Sequence, residues 1–338
     1  MKPYEITEDH SNRDIFVGMD RSDARQYYRE MWGSFESRFG TPIVEEYEGK
    51  YVLRADLAPG GLKAFGGERV IAESPYDTMV YVAPRQGHAP DAIAAIAKEY
   101  GKKCVFFMPA SNTVSDHQAA VFAYDNVEVR FFRAAAMPML NSYAKRWASE
   151  NNAQFITFGL SNLPIVTAGL VNMCNTVSES LGKDPTEIYC AVSTGTMIRA
   201  LQIGWPEADP YGVAVARNIK RGEKGVAVLE SATIPFLKRT PAADRMPFPS
   251  TGAYDAKAWD IFVERGAPGS IFINVGSDAQ ILRNLKNVDV PSINSMREWR
   301  DLGDWQENRS LNEGYTTHWV ENNESSDNGN IQQDTTKA

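Results

Sequence analysis

A chain of 338 residues, 43% of them apolar, can bury a substantial core as two domains or one large α/β unit. A net charge of −8 offers nucleic acid and anionic membrane surfaces no general attraction, although a local pocket for a nucleotide or small anion stays compatible with it. No stretch approaches the ~20 apolar residues that span a bilayer, and the acidic start (Glu5, Glu8, Asp9) lacks a long apolar run, so a cytoplasmic protein without a signal peptide is expected.

The first informative segment is residues 51–63, YVLRADLAPGGLK, where a short apolar strand runs into a Pro-Gly-Gly turn. The turn delivers Lys63 to the start of a helix predicted over 64–74. A lysine fixed in this way is positioned for Schiff-base chemistry with a carbonyl group, unless it is one more charged surface residue. Residues 78–83 (TMVYVA) read as a strand, 91–100 as a helix stopped by Gly101, and 103–108 (KCVFFM) as a buried strand. A helix over 113–124 and a strand over 127–132 follow. This βαβ succession implies a parallel sheet with helices on its faces.

A second set comprises a helix over 164–181 ended by Gly182, a strand over 187–192, a helix over 196–204 and a strand over 211–216. A helix over 254–264 and a last buried strand over 270–275 complete it. Residues 321–338 are almost wholly polar and are expected to form a disordered tail. Cys104, Cys174 and Cys190 lie in apolar runs without metal-ligand spacing, and the four histidines are too scattered for a zinc motif. No metal is expected.

Ligands of open parallel sheets bind at the carboxyl ends of strands, which singles out three junctions. In the first, Gln86-Gly87-His88 precedes a helix start, where glycine lets the backbone approach a ligand; an ordinary tight turn is the plainer alternative. In the second, Ser193, Thr194, Gly195 and Thr196 form either an anion cradle or a simple helix cap. No lysine follows in the manner of a nucleoside-triphosphatase P-loop. In the third, Asn274 or Ser277 faces a pocket, or Ser277 caps the next helix.

In order and spacing these segments resemble the fold-type II pyridoxal-phosphate (PLP) enzymes, the tryptophan synthase β-subunit-like superfamily. Thr41-Pro42-Ile43-Val44 resembles the opening Thr-Pro-Leu segment, and Val52 to Asp56 with Pro59-Gly60-Gly61-Leu62-Lys63 resembles the strand, turn and cofactor lysine. His88-Ala89 resembles the end of the Ser-Gly-Asn-His-Ala loop, residues 158–169 the Asn-Pro segment, and Val192 to Thr196 the phosphate loop. Similarity covers about residues 40–285, and the Gly-Gly-Leu-Lys63 context looks closest to the aminocyclopropane-carboxylate deaminase and D-cysteine desulfhydrase branch.

The resemblance implies two open parallel-sheet, three-layer domains with the cofactor cleft between them. Residues 1–77 and 160–315 would form a large, discontinuous PLP-binding domain, and residues 78–159 a small α/β domain. It implies a Schiff base at Lys63, which then serves as acid and base at the substrate's Cα. Gln86, Gly87, His88 and Ser193 to Thr196 would hold the cofactor, with Asn274 or Ser277 at its pyridine nitrogen, and Tyr254 and Asp255 would face an amino-acid-like substrate. A homodimer is also implied. One departure matters: the family's loop asparagine falls at Gly87, so either Gln86 substitutes for it or that contact is lost. Lyase or deaminase chemistry is the leading expectation. Decarboxylation of an amino-acid-modified nucleotide or base, as in virus-type DNA hypermodification, and non-catalytic PLP or small-molecule binding are the alternatives.

Overall fold

The computed structural model describes residues 20–110, 115–133, 137–160, 163–215, 228–235, 238–286 and 288. Helix α1 (Arg21–Trp32) is capped by the Asp20 side chain, which accepts from the Asp23 amide. Strands β1 (Val44–Tyr47) and β2 (Lys50–Arg54) form a hairpin whose turn places Glu48 and Gly49 at φ 51° and 74°. Positive φ at both central residues matches the twist of paired strands. Helix α2 (Leu62–Ala72), β3 (Thr78–Val82), α3 (Ala89–Glu99) and β4 (Lys103–Ala110) follow.

The helix predicted over 113–124 is instead a single turn, α4 (Asp116–Ala119), running into a 3₁₀ turn at Ala120–Ala123. A capping box between Ser115 and Gln118 starts the turn at 115, and residues 111–114 lie outside the described set. Next come β5 (Val127–Arg133), α5 (Met137–Glu150), β6 (Gln154–Phe155) and α6 (Pro164–Leu181). The second set is β7 (Glu187–Val192), α7 (Thr196–Gly204), β8 (Asp209–Ala214), β9 (Val228–Ser231), α8 (Ala256–Arg265), β10 (Ile271–Asn274) and α9 (Asp278–Leu285). The expected polar tail at 321–338 lies outside the described residues, as does residue 216 of the predicted strand over 211–216.

Two sheets result. One has the strand order β1-β2-β10-β7-β8-β9 and the other β5-β4-β3-β6. Every described pairing is parallel except the β1–β2 hairpin. The antiparallel edge departs from the all-parallel expectation because a two-residue turn cannot make a parallel crossover.

Strand alternation sends side chains to both faces of each sheet. On β7, Ile188, Cys190 and Val192 join a core shared with α2 and α6, while Tyr189 and Ala191 pack with Trp259 and Phe262 of α8. On β3, Met79 and Tyr81 enter that same shared core with Ile93 of α3, while Val80 and Val82 meet Leu140 and Ala144 of α5. Each sheet is therefore sandwiched by helices, and one continuous apolar core joins the two. Helices α2 and α6 cross closely: a Cβ on Gly169 would stand 2.5 Å from the Phe65 carbonyl oxygen, and one on Gly66 3.0 Å from Val166. All three cysteines are buried and unpaired. Among the described residues no helix is long and apolar enough to cross a membrane.

Candidate active site

The Pro-Gly-Gly turn is shaped by contact. Gly60 and Gly61 have φ 78° and 68°, and added Cβ atoms would lie 2.3 Å from the Ala92 Cα and the Val275 carbonyl oxygen respectively. Only glycine fits both the conformation and the space. The Leu62 amide donates to that same Val275 oxygen at 2.8 Å, so the start of α2 is tied to the carboxyl end of β10. Lys63 follows on the first turn of α2 and lines a chamber of about 150 Å³ with Tyr81, Gln86, Gly87, His88, Tyr254 and Asp255.

A second hollow of about 80 Å³ shares Lys63, Gly159, Ser193, Thr194, Tyr254 and Val275 with the chamber and extends over Gly195 and Thr196. Here β7 ends and α7 begins. Gly195 adopts the left-handed conformation (φ 82°) as the N-cap, which turns the chain so that the α7 amides that lack intrahelical acceptors begin there. The Thr194 and Thr196 hydroxyls are 3.2 Å apart. Hydroxyls, helix-start amides and the positive end of the helix dipole are groups by which an anion could be held. The lysine and the Ser193–Thr196 turn therefore line one shared space.

The electrostatics favour neutral groups beside the lysine. Burial lowers the Lys63 pKa, and attraction to Asp255 opposes that only in part. Burial holds the Asp255 carboxyl well above the ordinary carboxylate range, against the Gly276 amide that donates to it at 3.3 Å and against Lys63. The other Asp255 oxygen, Oδ1, is buried without a partner. His88 is held well below its usual value by burial, then by His117 and Lys63. Its Nε2 is 2.8 Å from Thr251 Oγ1, and its ring meets that of His117 edge to face with centroids 5.0 Å apart.

Two sequence candidates are not brought in. Asn274 is fully buried, and its amide donates to Asp56 Oδ1 at 2.7 Å and to the Pro249 carbonyl at 2.9 Å. Ser277 caps α9 by accepting from the Ala279 amide at 3.1 Å, the plainer of its two readings. Neither lines the lysine chamber: the Asn274 amide is turned to Asp56 and Pro249, and Ser277, beyond the end of β10, lines the outer cavity instead. Gln86 and Gly87 do line it, and Gly87 has φ 122° with open space where a Cβ would point. Tyr81, Gly159, Thr251 and His117 are wall residues that sequence reasoning missed. Tyr81 stands near the carboxyl end of β3, where it was open to inference; His117 on α4, Gly159 and Thr251 reach the wall only through tertiary packing.

Beside the chamber, and sharing Gln86, His117 and Ala253 with it as lining, is an outer cavity of about 510 Å³. Among the described residues no cluster of histidine, cysteine, aspartate or glutamate could hold a metal ion.

Solved structures superpose on this arrangement. An ACC deaminase homologue matches with a TM-score of 0.60 at 16% identity, over 76% of this chain and 99% of that one. Maize serine racemase matches with a TM-score of 0.56 at 14% identity, over 86% of this chain and 99% of its own. A threonine deaminase from T.th. gives 0.55 at 14%, over 75% and 97%. The fold is that of the fold-type II PLP enzymes. No family model matches the sequence, and no curated protein matches it either. At this identity the likeness speaks for the architecture, and the chemistry rests on the residues of the chamber.

Proposed function

We propose that this protein is a PLP-dependent enzyme acting on an amino acid or amino-acid-like amine, with lyase or deaminase chemistry as the leading class. One observation carries the reading: Lys63 and the Ser193–Thr196 helix start line one and the same hollow, which continues past Lys63, Ser193 and Thr194 into the chamber. The residues fit such a group. The partnerless Asp255 Oδ1 is a buried polar atom awaiting a hydrogen-bond partner, and the cradle offers hydroxyls and amides to a phosphate.

When bound, PLP supplies an electron sink for a bond broken at the substrate's Cα. Lys63, biased toward its neutral form by burial, is the nucleophile that would hold the cofactor's aldehyde carbon and afterwards carry a proton to or from Cα. Ser193, Thr194, Gly195 and Thr196 would bind the phosphate. Asp255 would hold a proton at the ring nitrogen, in the role expected of Asn274 or Ser277, both of which are engaged elsewhere. Tyr254 and Gln86, which also line the chamber, would orient the substrate and the ring face.

Purified protein mixed with PLP should turn yellow, and Lys63→Ala should abolish the colour. Lys257→Ala should keep it, since Lys257 donates to the Pro235 carbonyl at 2.8 Å and lines neither hollow. A wild type that takes up no PLP would sink the proposal. An amino-acid panel scored for ammonia, sulfide, pyruvate and carbon dioxide separates elimination or deamination from decarboxylation. Release of carbon dioxide alone would favour the decarboxylase reading, which the outer cavity supports, and bound PLP with no product from any amine would favour a binding protein.

A further inference from the structure

The outer cavity is larger than the lysine chamber and the phosphate hollow together, at about 510 Å³ against about 150 Å³ and about 80 Å³. A cofactor and a small amino acid would leave it unused. It adjoins the chamber, the two sharing Gln86, His117 and Ala253 as lining, so a molecule whose amino-acid end reaches Lys63 would extend toward it past these three residues.

The walls say what would lie there. Asp116, Asp278, Ser250 and Arg239 supply hydrogen-bonding groups, and Ile281 and Leu282 of α9 supply an apolar side. The Arg239 guanidinium is already paired with Asp244 at 2.8 Å and faces two carboxylates across the cavity, so a phosphate or other strong anion gains little. The stem of Arg239 lies over Gly252, where a Cβ would come within 2.7 Å of it, and lines the outer cavity. A neutral, flat or polyhydroxylated group with donors and acceptors on its edge matches this lining.

Resting on the PLP reading above, we infer that the substrate is an amino acid joined through its side chain to a bulky, uncharged polar group. The amino-acid end occupies the Lys63 chamber, and the appended group fills the cavity walled by Asp116, Ser250, Asp278 and Leu282. Free small amino acids bind only the inner half of this site.

The test is an absorbance titration of the yellow holoprotein with amines, which reads displacement of the cofactor from Lys63 rather than turnover. L- and D-alanine serve as small probes; S-adenosyl-L-homocysteine and γ-L-glutamyl-p-nitroanilide serve as amino acids bearing a neutral bulky group. At least one conjugate should half-saturate at a concentration about tenfold or more below alanine. Ala279→Trp and Leu282→Trp, both at exposed positions of α9 that line only the outer cavity, should erase that preference while leaving the alanine response unchanged. Equal half-saturation by alanine and both conjugates overturns the outer subsite, as does a preference that both tryptophan variants preserve. A protein that stays colourless with PLP removes the underlying reading instead, and does so before any amine is added.

Discussion

Asp91 shows how a buried carboxyl away from the chamber sets the pH response of the fold. It sits in the first turn of α3, fully buried, and accepts from the Tyr124 hydroxyl at 2.8 Å and the Asn284 amide at 2.7 Å. Burial raises its pKa from 3.8 to about 6, partly countered by those two donors. Between these values the unfolded carboxyl gives up its proton while the folded one keeps it, so stability falls as pH rises through the window and is flat above it. Linkage puts the effect at roughly 3 kcal/mol. The stability of Asp91→Asn relative to wild type, from urea midpoints at pH 4 and pH 7, should therefore move in favour of the variant by about that amount; an unchanged difference would show that Asp91 ionises normally. At this scale the sequence was legible where a residue's neighbours are local. Lys63 stands after its turn as read. Asn274, Ser277 and Asp255 were harder because they sit at a strand end and at two helix starts brought together by the fold, and partners far along the chain, such as Asp56 at 2.7 Å from Asn274, decide which is already engaged.

Among the elements, the Gly60-Gly61 turn fixes where Lys63 is held. Gly61→Ala sets a Cβ against the Val275 carbonyl at 2.3 Å in a left-handed conformation, whereas Gly40→Ala has equally positive φ (79°) and nothing within 4 Å. Gly40→Ala should cost the conformational term alone, about 1–2 kcal/mol. Gly61→Ala should cost clearly more, above ~3 kcal/mol, and reduce PLP uptake as well. Denaturation midpoints of the two variants side by side decide it; equal losses would mean that the turn gives way. Helix α6, strand β7 and helix α7 were readable to their ends, because proline or a Ser-Thr-Gly run marks each start and glycine, a turn or a tight loop each stop. Helices α1 and α5 escaped because polar and aromatic residues interrupt their apolar stripe, and β6 is two residues long.

For the whole molecule, the two sheets meet through a common apolar core and a few polar bridges. His88 at the start of α3 meets Thr251 from the loop before α8, and Asp91 of α3 meets Asn284 of α9. His88 Nδ1 is already buried without a partner, so Thr251→Val would orphan both ring nitrogens. We expect a loss of about 1–3 kcal/mol, read as a lower urea midpoint, with Thr251→Ser largely retaining wild-type stability. If the valine variant is as stable as wild type, the bridge contributes nothing to joining the two sheets. The parallel α/β class follows from alternating strands and helices, but the order β5-β4-β3-β6 and the meeting of His88 with His117 do not, since both depend on which faces the long crossovers bring together.

Gly87 limits what its loop can carry. With φ at 122° it occupies backbone territory that L-residues rarely enter, although the space beyond its Cα is open. An asparagine placed there would be strained by the backbone alone, with no neighbour within 4 Å of its Cβ. The course of the backbone, rather than crowding, is what reserves the position for glycine.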